Sequence, residues 1–126
     1  MPNCNAACVR SSPIVCCMRY KGALSDAGCD VVCITLPIGA VYLVELKGGH
    51  LTIGDVKDAP TQLEACEKLA GGRAHKILAH SESDRIDQQA VRMLGKAGVA
   101  LLKLYDEGSA RGDVARALLI ALRALA

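Results

Sequence analysis

Glu45 and Lys47 stand two residues apart at the end of an otherwise apolar run, Ala40-Val41-Tyr42-Leu43-Val44, and Gly48-Gly49 stops it. The run is rich in β-branched and aromatic residues, which reads as a largely buried strand emerging at an edge. In a strand, side chains i and i+2 share a face, so Glu45 and Lys47 project together into one cleft while Leu46 turns the other way into the core. A carboxylate and an ammonium at the end of a core strand cost desolvation free energy unless something pairs or uses them. Upstream, Cys29 to Leu36 forms a second apolar strand with Asp30 near its start, and Pro37-Ile38-Gly39 is a turn that folds it back as a hairpin. Pairing Leu36 near Ala40 brings Asp30 toward Glu45 or just beyond it. Two carboxylates on adjacent strands make an oxygen-donor site for a hard divalent cation, with a positive group beside it. The plainer alternative makes Glu45 and Lys47 a surface ion pair and Asp30 a turn residue.

A helix follows the hairpin. Asp55 to Ala70 carries Ala59, Leu63, Cys66, Leu69 and Ala70 at helical spacing, with Pro60 near its start and Gly71-Gly72 at its end. Gln62 lies in its first turns. Asp30, fourteen intervening residues and then Glu45-Leu46-Lys47, on two strands with a hairpin turn and a following helix, closely resemble the PD-(D/E)xK nuclease superfamily. That is the restriction-endonuclease-like fold, which includes Holliday-junction resolvases and RecB-type nucleases. The likeness runs from Ile14 to His80.

The resemblance implies that Asp30, Glu45 and the Leu46 backbone carbonyl hold Mg²⁺ or Mn²⁺. The metal polarises the scissile phosphate of DNA and activates a water, and Lys47 orients that water or neutralises developing charge. A RecB-like subset of the family places a glutamine in the following helix near the metal, which assigns Gln62 as a helper; a solvated helix glutamine is the bland reading. Two departures stand out. Cys29 replaces the proline of the family name, and no Asp or Glu precedes Asp26, so the glutamate often carried by the family's first helix has no counterpart. The second departure keeps open a noncatalytic reading, a nucleic-acid-binding or assembly subunit with a degenerate nuclease fold.

The remaining elements give an α/β chain. Cys4 and Cys8, four apart, allow a short helix in residues 1–12, with a frayed terminus equally open; Ile14 to Tyr20 is a first strand, and Lys21 to Gly28 a loop or brief helical turn. His50 to Gly54 is a loop or short strand extension, and His75 to His80 a fourth strand. Ser83-Asp84 precedes a helix with Ile86, Ala90, Met93, Leu94 and Ala97 on one face, Val99 to Tyr105 is a fifth strand, and a helix runs to Ala126. The expected architecture is a restriction-endonuclease-like mixed sheet with an αβββαβ core and an added C-terminal helix–strand–helix, in one nuclease-like domain over residues 1–126. The last helix is apolar nearly all round, with only Arg116 and Arg123 as a polar stripe. It must be buried on most sides, which points to a homodimer or, alternatively, to burial within the domain.

The net charge of +2 is too mild to indicate nucleic acid without local clustering. Arg10, Arg19, Lys21, Lys57, Arg73, His75 and Lys76 flank the cleft in sequence and offer a phosphate-contacting rim, against the alternative of a solvated mixed surface. Aromatic content of 2% argues against stacking of single-stranded bases. His50, His75 and His80 have no shared metal spacing, and the last two, five apart on one strand, face opposite sides. Seven cysteines contain no C-x-x-C pair. Buried thiols, disulfides and a metal–thiolate cluster are the three readings, the first favoured by the apolar settings of Cys16, Cys17, Cys29 and Cys33. No apolar run is long enough to cross a bilayer and no signal peptide is apparent, so a cytoplasmic location is expected.

Overall fold

A computed structural model of the chain describes residues 7–9, 14–19, 30–36, 38–81, 85–104 and 110–125. The core is one mixed sheet of six strands: β1 (Ala7–Val9), β2 (Ile14–Arg19), β3 (Val31–Leu36), β4 (Ala40–Leu46), β6 (His75–Ser81) and β8 (Val99–Leu104), neighbours in that order. The first four run antiparallel to one another, and β4, β6 and β8 are parallel. Parallel neighbours need crossover connections, supplied by α2 (Ala59–Ala70) between β4 and β6 and by α3 (Gln88–Lys96) between β6 and β8.

The strands alternate between two apolar sets: one face of the sheet is covered from β2 to β8, and the other over β4, β6 and β8, while Met18, Ile34 and Leu36 of β2 and β3 stay exposed on that second face. Val15, Cys17, Val31, Cys33, Tyr42, Val44, Ile77, Ala79 and Leu102 pack against α4 (Ala110–Leu125), which contributes Val114, Ala115, Ala117, Leu118 and Leu119. On the other face Leu43, Leu78 and Val99 meet Val56 of the short α1 (Ile53–Val56), Leu63 and Cys66 of α2, and Ala90 and Leu94 of α3. The apolar surface of the C-terminal helix is thus met by the chain's own sheet, the second of the two readings of that helix. Ile120 on the same helix remains exposed.

Several expectations are corrected. The expected leading helix is replaced at residues 7–9 by an edge strand antiparallel to β2; Cys4 and Lys21 to Gly28 lie outside the described residues. The helix expected over Asp55 to Ala70 is two: Lys57 and Asp58 form a turn between α1 and α2, and Pro60, which can donate no backbone N–H, sits in the first turn of the second. Gly71 closes α2 in the left-handed conformation, φ 82°, and its N–H donates to the Lys68 carbonyl at 3.2 Å. Ile86 belongs to β7 (Arg85–Ile86), which pairs in parallel with β5 (His50–Leu51), and α3 therefore begins only at Gln88.

The cysteines are corrected too. Cys17 and Cys33, directly opposite on β2 and β3, form a disulfide, and Cys16 and Cys66 are also disulfide-bonded. Burial of free thiols does not describe these four. No helix among the described residues is long and apolar enough to cross a membrane.

Candidate metal and phosphodiester site

The hairpin sets the site. Thr35 pairs with Ala40 and Val31 with Val44, one place away from the Leu36–Ala40 pairing expected, and continuing the register by one residue puts Asp30 opposite Glu45. The last rung is the Asp30 N–H donating to the Val44 carbonyl at 3.0 Å. Asp30 then turns its carboxylate back along β4, where Oδ2 accepts from the Leu46 N–H at 2.9 Å. The side chain has replaced the next backbone acceptor of the ladder. Past that point the Leu46 carbonyl on the β3 side lies beyond the last rung among the described residues.

Glu45 alternates onto the face that carries α2, while Leu46 packs toward the α4 side. Its carboxylate is nearly enclosed, 5% exposed, and desolvation pushes its pKa from 4.5 up to about 7. The nearby Lys47 charge opposes that rise and the Asp30 charge adds to it, so both lie within electrostatic reach of Glu45. From α2, the Gln62 amide, oriented with its nitrogen toward the carboxylate, donates to both Glu45 oxygens at 3.2 and 3.3 Å. The Gln62 N–H itself bonds the Asp58 carbonyl at 3.0 Å, which fixes the residue in the first turn of the helix. Asp30, Glu45, Lys47 and Gln62 therefore come together from β3, β4 and α2.

Lys47 is half-buried, and its backbone N–H continues the β4–β6 ladder by donating to the Ala79 carbonyl at 3.0 Å. Asp55, four residues after Leu51, lies within electrostatic reach of both Lys47 and His50. The Asp55 carboxylate accepts from the Thr52 N–H at 2.8 Å and from its hydroxyl at 2.9 Å, and these bonds hold its pKa below the usual range. Next to it His50 Nε2 pairs with Asp87 Oδ1 at 2.6 Å, joining β5 to the start of α3. Sequence reasoning passed over Asp55 and Asp87. The Thr52-x-x-Asp55 spacing of a capping box was the available signal for the first; nothing local marks the second.

Three residues of the expected basic rim, Arg73, His75 and Lys76, lie away from this site. Tyr42 pairs with His75 at the far end of the β4–β6 ladder, five residues from Lys47, or about 16 Å along a strand. His75 stacks on Tyr42 there, ring centroids 4.6 Å apart, and Lys76 approaches Glu67 at 3.9 Å. Arg73 is exposed at that same end. Lys57 sits in the turn between α1 and α2, the Arg19 backbone pairs with Val31 at the site end of the sheet, and Arg10 and Lys21 lie outside the described residues.

No family model matches the chain, and no curated protein matches it. Among solved structures it is similar to one described as EndoMS in apo form, with a TM-score of 0.49 and 17% identity over 84% of this chain. The chain spans 41% of that protein's length.

The donor chemistry fits a hard cation. Two carboxylates of adjacent strands and a backbone carbonyl beyond the last rung are all oxygen donors, and the buried Glu45 carboxylate lacks full charge compensation. Among the described residues no three His, Cys, Asp or Glu side chains converge on one point. A cation here would keep open positions for water or substrate oxygens, as Mg²⁺ does at phosphate sites.

Proposed function

We propose that the protein is a metal-dependent DNA endonuclease that hydrolyses phosphodiester bonds, with branched or otherwise structured DNA as its substrate class. The observation that carries the reading is the buried Glu45 carboxylate, raised toward neutrality, with Asp30 in register across the hairpin and Lys47 on its own face. Perturbed carboxylates of this kind concentrate at functional sites.

Asp30, Glu45 and the Leu46 carbonyl would hold Mg²⁺ or Mn²⁺. Such an ion, when bound, supplies Lewis-acid polarisation of the phosphate and a more acidic water. The chain's own residues do the rest. Gln62 holds the Glu45 carboxylate by donating to both oxygens, which fixes its direction as the outer partner of a ligand does. The Leu46 N–H does the same for Asp30, leaving the other Asp30 oxygen for the cation. Lys47, on the Glu45 face, orients the attacking water by hydrogen bonding and offsets charge that develops on the phosphate oxygens.

The test is cleavage of duplex, flap and four-way DNA by the wild type, Asp30→Asn and Glu45→Gln with Mg²⁺, Mn²⁺ or Ca²⁺ in turn. Mg²⁺ and Mn²⁺ should support cleavage by the wild type alone, and Ca²⁺ should not. Binding without cleavage on every substrate would overturn the enzymatic reading in favour of a noncatalytic nucleic-acid-binding subunit.

A further inference from the structure

His80 sits beside the site and no role above uses it. It is 8% exposed on β6, on the same sheet face as Leu78. Leu78 pairs with Glu45 and Ala79 with Leu46, so the next place in the parallel register sets His80 against Lys47 on the adjacent strand. Neighbouring strands lie about 4.8 Å apart, which puts the imidazole alongside the lysine stem. On its other side His80 pairs in register with Lys103 of β8, which is exposed.

The tautomer is set by a single bond. His80 Nδ1 lies 3.0 Å from the Ser81 carbonyl oxygen, and a carbonyl only accepts, so Nδ1 carries the proton. In the neutral ring Nε2 then holds a lone pair, and it makes no hydrogen bond among the described residues. A buried acceptor left without a partner costs free energy unless something in the working protein donates to it. The half-buried donor next to it in register is the Lys47 ammonium, which the Asp55 and Glu45 carboxylates also attract.

We propose that His80 is a positioning residue for Lys47: its Nε2 accepts a hydrogen bond from the ammonium and directs it across the strand ends toward the bound phosphodiester, away from Asp55. This rests on the nuclease reading for its consequence but not for its geometry. Lys47 needs such a partner because a four-carbon stem with two carboxylates in reach has no single preferred direction.

Two substitutions separate this role from a structural one. In His80→Asn the side-chain amide can still donate to the Ser81 carbonyl, but nothing replaces Nε2. In His80→Gln the amide oxygen reaches the Nε2 position and can accept. The ammonium resonance of Lys47, identified by its loss in Lys47→Arg, should show slow exchange with water in the wild type and in His80→Gln, and should lose it in His80→Asn; the exposed Lys68 near the C-terminal end of α2 is the control and should stay in fast exchange throughout. Single-turnover DNA cleavage should fall about 10-fold or more in His80→Asn with little change in KM, and recover in His80→Gln, as a misdirected catalytic group predicts. If Lys47 behaves this way but the wild type cleaves no DNA, the pairing stands and the nuclease reading falls. A Lys47 ammonium in fast exchange in the wild type, or one indifferent to both substitutions, overturns the proposal even where a variant fails to fold.

Discussion

Replacing Glu45 with glutamine should stabilise the metal-free protein while abolishing its proposed chemistry. A carboxyl that titrates at about 7 in the fold and at 4.5 as a free group keeps a proton that the unfolded chain has released. Stability therefore falls as the pH rises from about 4.5 to about 7, and the loss is complete above that. The interval corresponds to about 3 kcal/mol at 1.36 kcal/mol per pH unit, an upper figure because water entry and relaxation would lessen it. Glutamine has nearly the same shape, can accept from Gln62 through its amide oxygen, and carries no charge to desolvate. Urea unfolding with a chelator present, under conditions that keep the disulfides intact, should show Glu45→Gln more stable than wild type at pH 8 by up to about 3 kcal/mol, with the advantage shrinking toward pH 4.5. Adding Mn²⁺ should reverse the order once it is well above saturation, since a ligand at about 1,000 times its dissociation constant contributes about 4.1 kcal/mol to the wild type alone. A variant less stable than wild type at pH 8, or a difference that does not change with pH, would refute the reasoning.

Three further outcomes follow from the same contacts. Gln62→Leu removes the donor to both Glu45 oxygens, so the Glu45 pKa should rise further, and Mn²⁺ affinity by calorimetry should drop about 10- to 100-fold, as loss of an outer partner to a ligand does. Leu118→Ala should cost about 2–5 kcal/mol, because Leu118 is 3% exposed in the cluster between α4 and the sheet, and the urea midpoint should be independent of protein concentration since its partners lie in the same chain. Asp55→Ala should lower stability at pH 7 through loss of the Thr52 bonds, and because the folded pKa is depressed the difference should vanish as the pH falls below the usual carboxylate range, which a series of thermal melts would follow.

The part of the site closest together in sequence was the most legible. The turn signal Pro37-Ile38-Gly39 and two apolar strands mark a hairpin to within one place of its register, and strand parity sets Glu45 and Lys47 on one face with Leu46 on the other; the observed register then puts Asp30 opposite Glu45. The helix that carries Gln62 was readable from its apolar spacing, but Gln62 itself stood out only through the resemblance to RecB-like nucleases. What could not be read depends on contacts far apart in the chain. Residues 7–9 carry little pattern, and their strand exists because β2 offers an edge. The burial that raises the Glu45 pKa comes from elements packed by tertiary contact. His80 was correctly set on the face opposite His75, but that it lies beside Lys47 follows only from the parallel β4–β6 register, which sequence does not specify. Cys17 and Cys33 looked like small apolar residues of two strands, and only their direct opposition makes a disulfide possible. The C-terminal helix suggested a partner or burial within the domain because its apolar girth exceeded what one contact stripe needs; one face of the sheet, from β2 to β8, covers Val114, Ala115, Ala117, Leu118 and Leu119, a contact that only the tertiary fold creates.

The claim on which the account turns is that Asp30 and Glu45 share a divalent cation. Crystals soaked in Mn²⁺ at pH 8, where Glu45 is ionised, should show an anomalous peak about 2.1–2.2 Å from an oxygen of each carboxylate and from the Leu46 carbonyl, and the peak should be missing in Glu45→Gln. A structure with no peak there at millimolar Mn²⁺, or with Mn²⁺ at the His50–Asp87 pair instead, would contradict the account.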